Sequence, residues 1–314
     1  MKSVFIDGSA GTTGLRICER LEKRDDLKLI ILDDEHRKDP AYVKDAIFRS
    51  DITFLCLPDA AAVEAVELAK GSDTVIIDTS TAHRINDDWT YGFPELDAGQ
   101  RAKIAASHRI ANPGCYATGF ISIAAPLVQK GVIDPDFPIS AFAVSGYSGA
   151  GKKAIAVYEG SDKPADFNAP REYALSQMHK HIPEMQKLSG LKRKPLFSPI
   201  VDDYYSGMFV SIPFYTDMLN NVKGPDDVRS IFEEHYKGER FIKVRAKDAE
   251  AESDGFISAN VLAGRDVLEL FVTGNEERIV VTTRFDNLGK GASGAAIQNM
   301  NIVLGVDEAC GLEM

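Results

Sequence analysis

Cysteine is scarce in this chain, tryptophan occurs once, and long apolar runs are missing. Four cysteines in 314 residues, none in a C-x-x-C pair, make no disulfide framework and point to a reducing compartment. The six histidines are not grouped with cysteines at ligand spacing, so a structural zinc is not expected. No stretch approaches the roughly 18–20 apolar residues that span a bilayer. The opening Met1-Lys2-Ser3-Val4-Phe5-Ile6-Asp7 meets an acid too soon for a signal peptide, so a cytoplasmic protein is expected. Basic charge is also short. Lys and Arg number 36 against 47 Asp and Glu, a net charge of −11 that works against non-specific nucleic-acid binding and anionic membranes. Repeats and low-complexity linkers are lacking too. What remains is 44% hydrophobic and 26% charged, a globular composition. At about 100–200 residues per domain, two domains are expected.

The first third alternates short apolar runs (3–7, 27–32, 52–57 and 74–77) with helical patterns (13–23 and 60–70). Buried runs separated by helices predict parallel strands with crossover helices, the doubly wound α/β pattern. A helix is predicted from about residue 114, on the spacing of Ala117, Phe120, Ile121, Ala124, Ala125 and Val128. Pro126 should kink or end it. Beyond residue 200, strand-like runs at 208–214, 240–245, 257–262, 267–272 and 278–285 follow one another, which predicts a mostly antiparallel α+β domain. Residues 293–306 read as a helix returning to the first domain. The expected division is a dinucleotide-binding domain of residues 1–114 with 290–314, and a catalytic and oligomerisation domain of 115–289.

Five segments carry chemistry. Gly8-Ser9-Ala10-Gly11-Thr12-Thr13-Gly14 lies between a strand and a helix, where glycines allow a tight turn and the helix N-terminus offers N–H groups to a pyrophosphate. Beyond the second strand, Asp33 and Asp34 suit a ribose 2′-hydroxyl while Arg37 and Lys38 suit a 2′-phosphate, so the residues leave NAD and NADP both open. In Asn112-Pro113-Gly114-Cys115-Tyr116, Asn112 reads as an N-cap and Pro113 as the first helical residue. That places Cys115 in the first turn, where helix charge favours the thiolate. Cys18 and Cys56 sit in apolar patterns and read as inert core thiols. His179-Lys180-His181-Ile182-Pro183-Glu184 could supply an imidazole to a cysteine nucleophile, with a carboxylate to fix its tautomer; two histidines could instead bind metal, but no third ligand is apparent. Ser145-Gly146-Tyr147-Ser148-Gly149-Ala150-Gly151-Lys152 suits an anionic substrate or inorganic phosphate and lacks the spacing of an ATP P-loop. Asn287-Leu288-Gly289-Lys290-Gly291 opens the last helix and again offers backbone amides to an anion.

The glycine turn, Tyr91-Gly92-Phe93-Pro94-Glu95-Leu96, the segment around Cys115, the segment from Ser145, and Asn287 to Gly291 together resemble N-acetyl-γ-glutamyl-phosphate reductases over essentially the full length. The short chain and the G-S-A-G-T-T-G loop resemble the shorter, type 2 branch. Aspartate-semialdehyde dehydrogenases are cousins with a related cysteine motif. The resemblance implies a Rossmann domain plus an α+β domain that forms a homodimer or homotetramer. It also implies NADPH-dependent reduction of N-acetyl-γ-glutamyl phosphate to the 5-semialdehyde, with release of phosphate, in arginine synthesis. No metal is implied. The family's nucleophile falls on Cys115, and its H-x-H-x-P-E segment on His179, His181 and Glu184, with His181 favoured as the partner of the thiol. Expected cofactor residues are Gly8, Ser9, Gly11, Thr12, Thr13, Gly14, Arg37, Asn287, Lys290 and Gly291. Expected substrate residues are Asn112, Tyr116, Ser145, Gly146, Ser148 and Lys152. Competing readings are the same chemistry on aspartyl or N-acetyl-aminoadipyl phosphate, a non-enzymatic NADP-binding sensor, and a cysteine hydrolase, which the N-terminal glycine turn speaks against.

Overall fold

The four apolar runs of the first third pair as neighbours in one parallel sheet. They are β1 (Lys2–Asp7), β2 (Leu27–Ile30), β3 (Ile52–Leu55) and β4 (Val75–Asp78), joined by α1 (Thr12–Leu21), α2 (Pro40–Phe48) and α3 (Asp59–Leu68). Two further strands, β5 (Thr90–Tyr91) and β6 (Arg109–Ala111), flank α4 (Gln100–Ala105) and complete the order β2-β1-β3-β4-β6-β5. The computed structural model describes all 314 residues. Every pairing in this sheet is parallel. Because both faces are covered, the middles of β1, β3 and β4 are buried on both sides. Val4, Ile6, Phe54 and Ile77 pack with Ile17 and Leu21 of α1 and with Ile297 and Met300 of the closing helix Gly294–Leu304. Phe5, Leu55 and Ile76 pack on the other side with Val43 and Ile47 of α2 and Ala62 and Val66 of α3. α2 escaped sequence reasoning although its start signal was there: Asp39 accepts from the Ala41 amide at 2.9 Å, and Pro40 follows as the first helical residue. Met1–Gly114 with Ala292–Glu313 forms one compact unit, and Cys115–Gly291 forms the other.

The second unit is built on α5 (Cys115–Gln129) and a seven-stranded mixed sheet. Its elements in chain order are β7 (Ser140–Gly146), α6 (Lys152–Glu159), β8 (Arg171–Glu172), α7 (Ile182–Leu188), β9 (Leu196–Asp202), β10 (Met208–Tyr215), α8 (Pro225–His235), β11 (Ile242–Val244), β12 (Leu268–Gly274) and β13 (Arg278–Phe285). The strand order is β11-β12-β13-β10-β7-β9-β8, antiparallel except for β7 with β9 and β11 with β12. α5 lies on β10 and β13. Close approach there requires Gly119, since an added Cβ would sit 2.6 Å from Val210 Cγ2.

Two expectations need correction. Of the two outcomes expected at Pro126, a kink or an end, the end is the one to correct: α5 runs through the proline to Gln129. An interior proline costs roughly 3 kcal/mol, partly by orphaning the carbonyl four residues earlier. Here that carbonyl belongs to Ser122, and the Tyr236 hydroxyl donates to it at 2.7 Å, which offsets about 0.5–1.5 kcal/mol. The run at 257–262 is not a strand. It lies between Gly255 and Gly264, both in the left-handed region (φ 85° and 84°), and turns back on itself through Ala263 N–H to Asn260 C=O at 3.0 Å.

Candidate active site

Strand β1 ends in a turn whose three glycines have different reasons to be glycine. Gly8 has φ +80°, and a Cβ there would strike the Cys56 carbonyl. A Cβ on Gly14 would strike the Gly8 carbonyl, so α1 can close on the turn only with glycine at that place. Gly11 is the N-cap of α1, with φ −75°, which any residue adopts, and its Cβ would meet nothing closer than the Gly8 oxygen at 3.2 Å. A Cβ at 11 would press on the backbone of the turn itself, and no side chain caps the first N–H groups of α1. That is the form of a pyrophosphate cradle, with Ser9, Thr12 and Thr13 at its rim. Burial pushes the Asp7 carboxyl, just before the turn, up to about 6, against a lowering hydrogen bond from Gly8.

At the rim beyond β2, Asp33 accepts from the His36 amide at 2.9 Å and meets its ring at 2.7 Å, while Arg37 pairs with Asp34 at 2.8 Å. After β4, buried Asp78 holds the Ser80 amide and hydroxyl (2.9 and 2.7 Å) and the His83 ring (2.6 Å). His83 stacks on Trp89 with ring centres 4.1 Å apart. His83 is therefore a buried anchor of the loop at the carboxyl ends of the strands.

In the second unit, Cys115 is the first residue of α5. Asn112 is not its cap, and Pro113 is not helical. Asn112 is 1% exposed, donates to the Ala292 carbonyl at 3.0 Å and accepts from Asn299 at 3.2 Å, all within the first unit. Around Cys115 stands a group of hydroxyls and aromatic rings. Tyr173 donates to the Tyr116 hydroxyl at 3.0 Å, and a side-chain hydrogen bond joins Tyr116 to Ser145. Burial, then neighbouring Tyr173 and the charge on Cys115, hold the Tyr116 phenol well above its ordinary range. His179 and His181 cross edge to face at 4.8 Å, and the Tyr116 ring lies 5.5 Å from the first and 6.0 Å from the second. Burial and the adjacent Lys180 push His179 down to about 4. Its Nδ1 accepts from the His181 amide at 3.1 Å. His181 and Glu184 are both buried where α7 begins. The structure thus brings Cys115, Tyr116, Ser145, His179 and His181 together. Sequence reasoning missed Tyr173, which had no motif to announce it, and Gln177, whose amide clamps the Phe197 backbone at 2.9 Å in both directions.

The other cysteines differ from Cys115. Burial lifts Cys18 to about 11, with Glu22 adding to the shift, and lifts Cys56 to about 12. Of the remaining site residues, Gly146 meets the Tyr204 and Tyr205 carbonyls so closely that a Cβ would lie 2.6 Å from each. Asn287 donates to the Ser148 hydroxyl at 2.9 Å and accepts from the Gly207 amide at 2.9 Å, so both of its polar ends are used inside this unit. Lys290 is buried, its ammonium 5.2 Å from the Phe241 ring centre. Gly291 abuts the thiol-bearing residue: a Cβ there would lie 2.9 Å from Cys115 Cβ. Lys152 opens α6 in an exposed position.

Comparison with known proteins places these geometries in context. Residues 3–105 match the semialdehyde dehydrogenase NAD binding domain, and residues 115–287 match the semialdehyde dehydrogenase dimerisation domain. A protein of Nostoc sp. named N-acetyl-gamma-glutamyl-phosphate reductase 2 is 44% identical, covering 98% of this chain and 98% of its own length. An N-acetyl-gamma-glutamyl-phosphate reductase of Brucella ovis is 45% identical over 96% of this chain and 98% of its own. Among solved structures, aspartate semialdehyde dehydrogenase II from Vibrio cholerae superposes with a TM-score of 0.74 at 18% identity, covering 97% of this chain and 99% of that one. Aspartate semialdehyde dehydrogenase with NADP from Candida albicans gives a TM-score of 0.64 at 14% identity, covering 97% and 98%.

Proposed function

The chain belongs to the semialdehyde dehydrogenase family and, within it, to the N-acetyl-γ-glutamyl-phosphate reductases; from that premise we propose that it reduces N-acetyl-γ-glutamyl phosphate to N-acetylglutamate 5-semialdehyde with NADPH, through a thioester on Cys115, as an enzyme of the short, type 2 branch. The observation that carries the mechanism is Cys115 at the first position of α5, among the hydroxyls of Tyr116, Tyr173 and Ser145 and the two imidazoles. The Cys115 sulfur attacks the acyl carbon, the carbon–oxygen bond to phosphate breaks, and inorganic phosphate departs. When bound, the nicotinamide supplies a hydride to that carbon. Backbone N–H groups at the start of α5 then steady the oxyanion, which His181 protonates and, as the carbon–sulfur bond breaks, deprotonates again. Breaking the carbon–sulfur bond releases the aldehyde and restores the thiolate. His179 suits that proton step poorly: with its pKa near 4 it is neutral at physiological pH, and its Nδ1 is engaged by the His181 amide. Its part is to orient His181, and Glu184 supports the same turn.

The turn from Gly8 to Gly14 fits the cofactor's pyrophosphate, and Ser9, Thr12 and Thr13 are assigned to it. NADP is preferred over NAD in this reading, because Asp33 is engaged by His36 while Arg37 is held only by a surface ion pair with exposed Asp34, which a 2′-phosphate could replace. Any contact from Asn287 and Lys290 to the cofactor runs through backbone, since their neighbours use or cover the side chains, and Gly291 has only backbone to offer. Asn112 acts by holding the 292 segment in place instead of touching substrate, whereas Tyr116, Ser145, Gly146, Ser148 and Lys152 form the substrate and phosphate side. No helix is long and apolar enough to cross a membrane. A cytoplasmic homodimer or homotetramer completes the proposal.

Phosphate-dependent reduction of NADP by N-acetylglutamate 5-semialdehyde, followed by near-ultraviolet absorbance, is the direct test. Faster turnover of aspartate semialdehyde or its N-acetyl-aminoadipyl counterpart would reassign the substrate. A clear preference for NAD would return the cofactor choice to Asp33 and Asp34. Gly11→Val should weaken NADP binding by at least about tenfold, because a side chain there presses on the Gly8 carbonyl and fills the turn that would meet the pyrophosphate, and a melting curve checks that the fold is kept. Unchanged affinity in a titration would move the cofactor site elsewhere.

A further inference from the structure

The proposed substrate has a carboxylate on its α-carbon, a few bonds from the carbon that Cys115 attacks, and no group around the thiol described so far is a cation that would meet it. Arg171 is placed to do so. In the sheet of the second unit, Arg171 on β8 stands opposite Val201 on β9, which stands opposite Ser145 on β7. Residues in register across neighbouring strands project on one face. On that face Ser145 joins Tyr116. Tyr173 lies two residues beyond Arg171, and its amide continues the ladder to the Pro199 carbonyl at 3.0 Å, so it returns to the same face, where its hydroxyl meets Tyr116. Arg171 is thus the next side chain along β8 from the hydroxyl group that adjoins Cys115, a step of about 7 Å.

The guanidinium is held but not saturated. Its central carbon lies 3.3 Å from the centre of the Phe167 ring, and Nη2 donates to the Tyr158 hydroxyl at 2.7 Å. Tyr158 is itself stacked on Tyr147 at 4.4 Å. Nε is buried and makes no hydrogen bond. Asp166, 71% exposed, makes a loose ion pair with Nη1 at 3.8 Å, too long for a hydrogen bond and open to displacement by a better-placed carboxylate. An arginine kept for structure alone spends more of its five donors on the protein. A flat, pre-oriented cation whose Nη1 makes no hydrogen bond and whose Nη2 keeps one of its two N–H groups is suited to a carboxylate, which takes two parallel N–H bonds at once.

We propose that Arg171 binds the α-carboxylate of the substrate and sets specificity for an acyl group bearing one. The inference rests on the substrate class proposed above. Its test compares two aldehydes in the phosphate-dependent oxidative direction: N-acetylglutamate 5-semialdehyde, and 4-acetamidobutanal, which is the same molecule without its carboxylate. The wild type should prefer the first. Arg171→Met should lose about 10²-fold in kcat/KM on the first and no more than about threefold on the second, with KM for NADP unchanged. Arg171→Lys should recover part of the loss, because it restores charge without the planar fork. Equal losses on both aldehydes, or a preference that survives in Arg171→Met, would overturn the assignment. If Arg171→Met does not fold, Tyr158→Phe takes its place: it frees Nη2 and should cost several-fold on the carboxylate-bearing aldehyde alone, and any other pattern counts against the role. A wild type inert toward both aldehydes would instead bring down the proposed substrate class beneath it.

Discussion

Cys115→Ser is expected to lose roughly 10³–10⁵-fold in kcat while folding normally and still binding NADP. Serine keeps the shape and hydrogen-bonding capacity of cysteine, but its hydroxyl is barely ionised near neutral pH, and an alkoxide would be a poor leaving group in the last step. The position matters as much as the element. Cys115 opens a helix of 15 residues, whose N-terminal partial charge favours the thiolate, and Gly291 removes any side chain that would press on its Cβ. Cys18 and Cys56 are held protonated by burial, at about 11 and about 12. Iodoacetamide should therefore inactivate the wild type by labelling Cys115 ahead of those two thiols, and acyl-phosphate substrate should protect it. Cys18→Ser should leave the chemical step intact at some cost in stability. Near-normal turnover in Cys115→Ser, or inactivation by a label found on Cys310, would rule out the covalent route.

What could be read from sequence was what depends on near neighbours. The glycine turn, the strands either side of it and the cysteine at a helix start each occupy a few consecutive residues, and their chemistry follows from backbone geometry within that window. What could not be read depends on partners far along the chain. Asn112 looks like a cap until Ala292 and Asn299 claim its amide. Asn287 looks like a cofactor ligand until Ser148 and Gly207 claim it. Arg171 opens a strand of two residues that exists only because β9 pairs with it, and Tyr173 follows directly after that strand, so no periodicity marks either. The failed strand at 257–262 has the right composition and the wrong boundaries, being enclosed by glycines in the left-handed region. Pro126 misled for the opposite reason: the rule about proline is local, and the hydroxyl that relieves it comes from Tyr236.

Replacing the two histidines separately should divide their roles. His181→Asn is expected to lower kcat by about 10²–10⁴-fold, the usual cost of a positioned proton carrier, with little change in NADP affinity. His179→Asn should cost less, since it removes an acceptor for the His181 amide and leaves the proton carrier in place. The pH profiles provide the sharper distinction. His179 titrates near 4, so it contributes no limb to the rate profile between pH 5 and 8, and any limb in that range should persist in His179→Asn. Stability should show the reverse. The folded pKa of His179 lies below the ordinary histidine value of about 6.5. Between 4 and about 6.5 the unfolded chain therefore binds a proton that the folded chain does not. This histidine consequently makes the fold less stable as pH falls through that window, and stability is recovered as pH rises above it. His179→Gln, which cannot titrate, should melt with a shallower acid dependence than the wild type. If His179→Asn instead abolished both the limb and the turnover, His179 would be the proton carrier, and the burial that keeps it neutral in the free protein would have to be relieved when substrate binds.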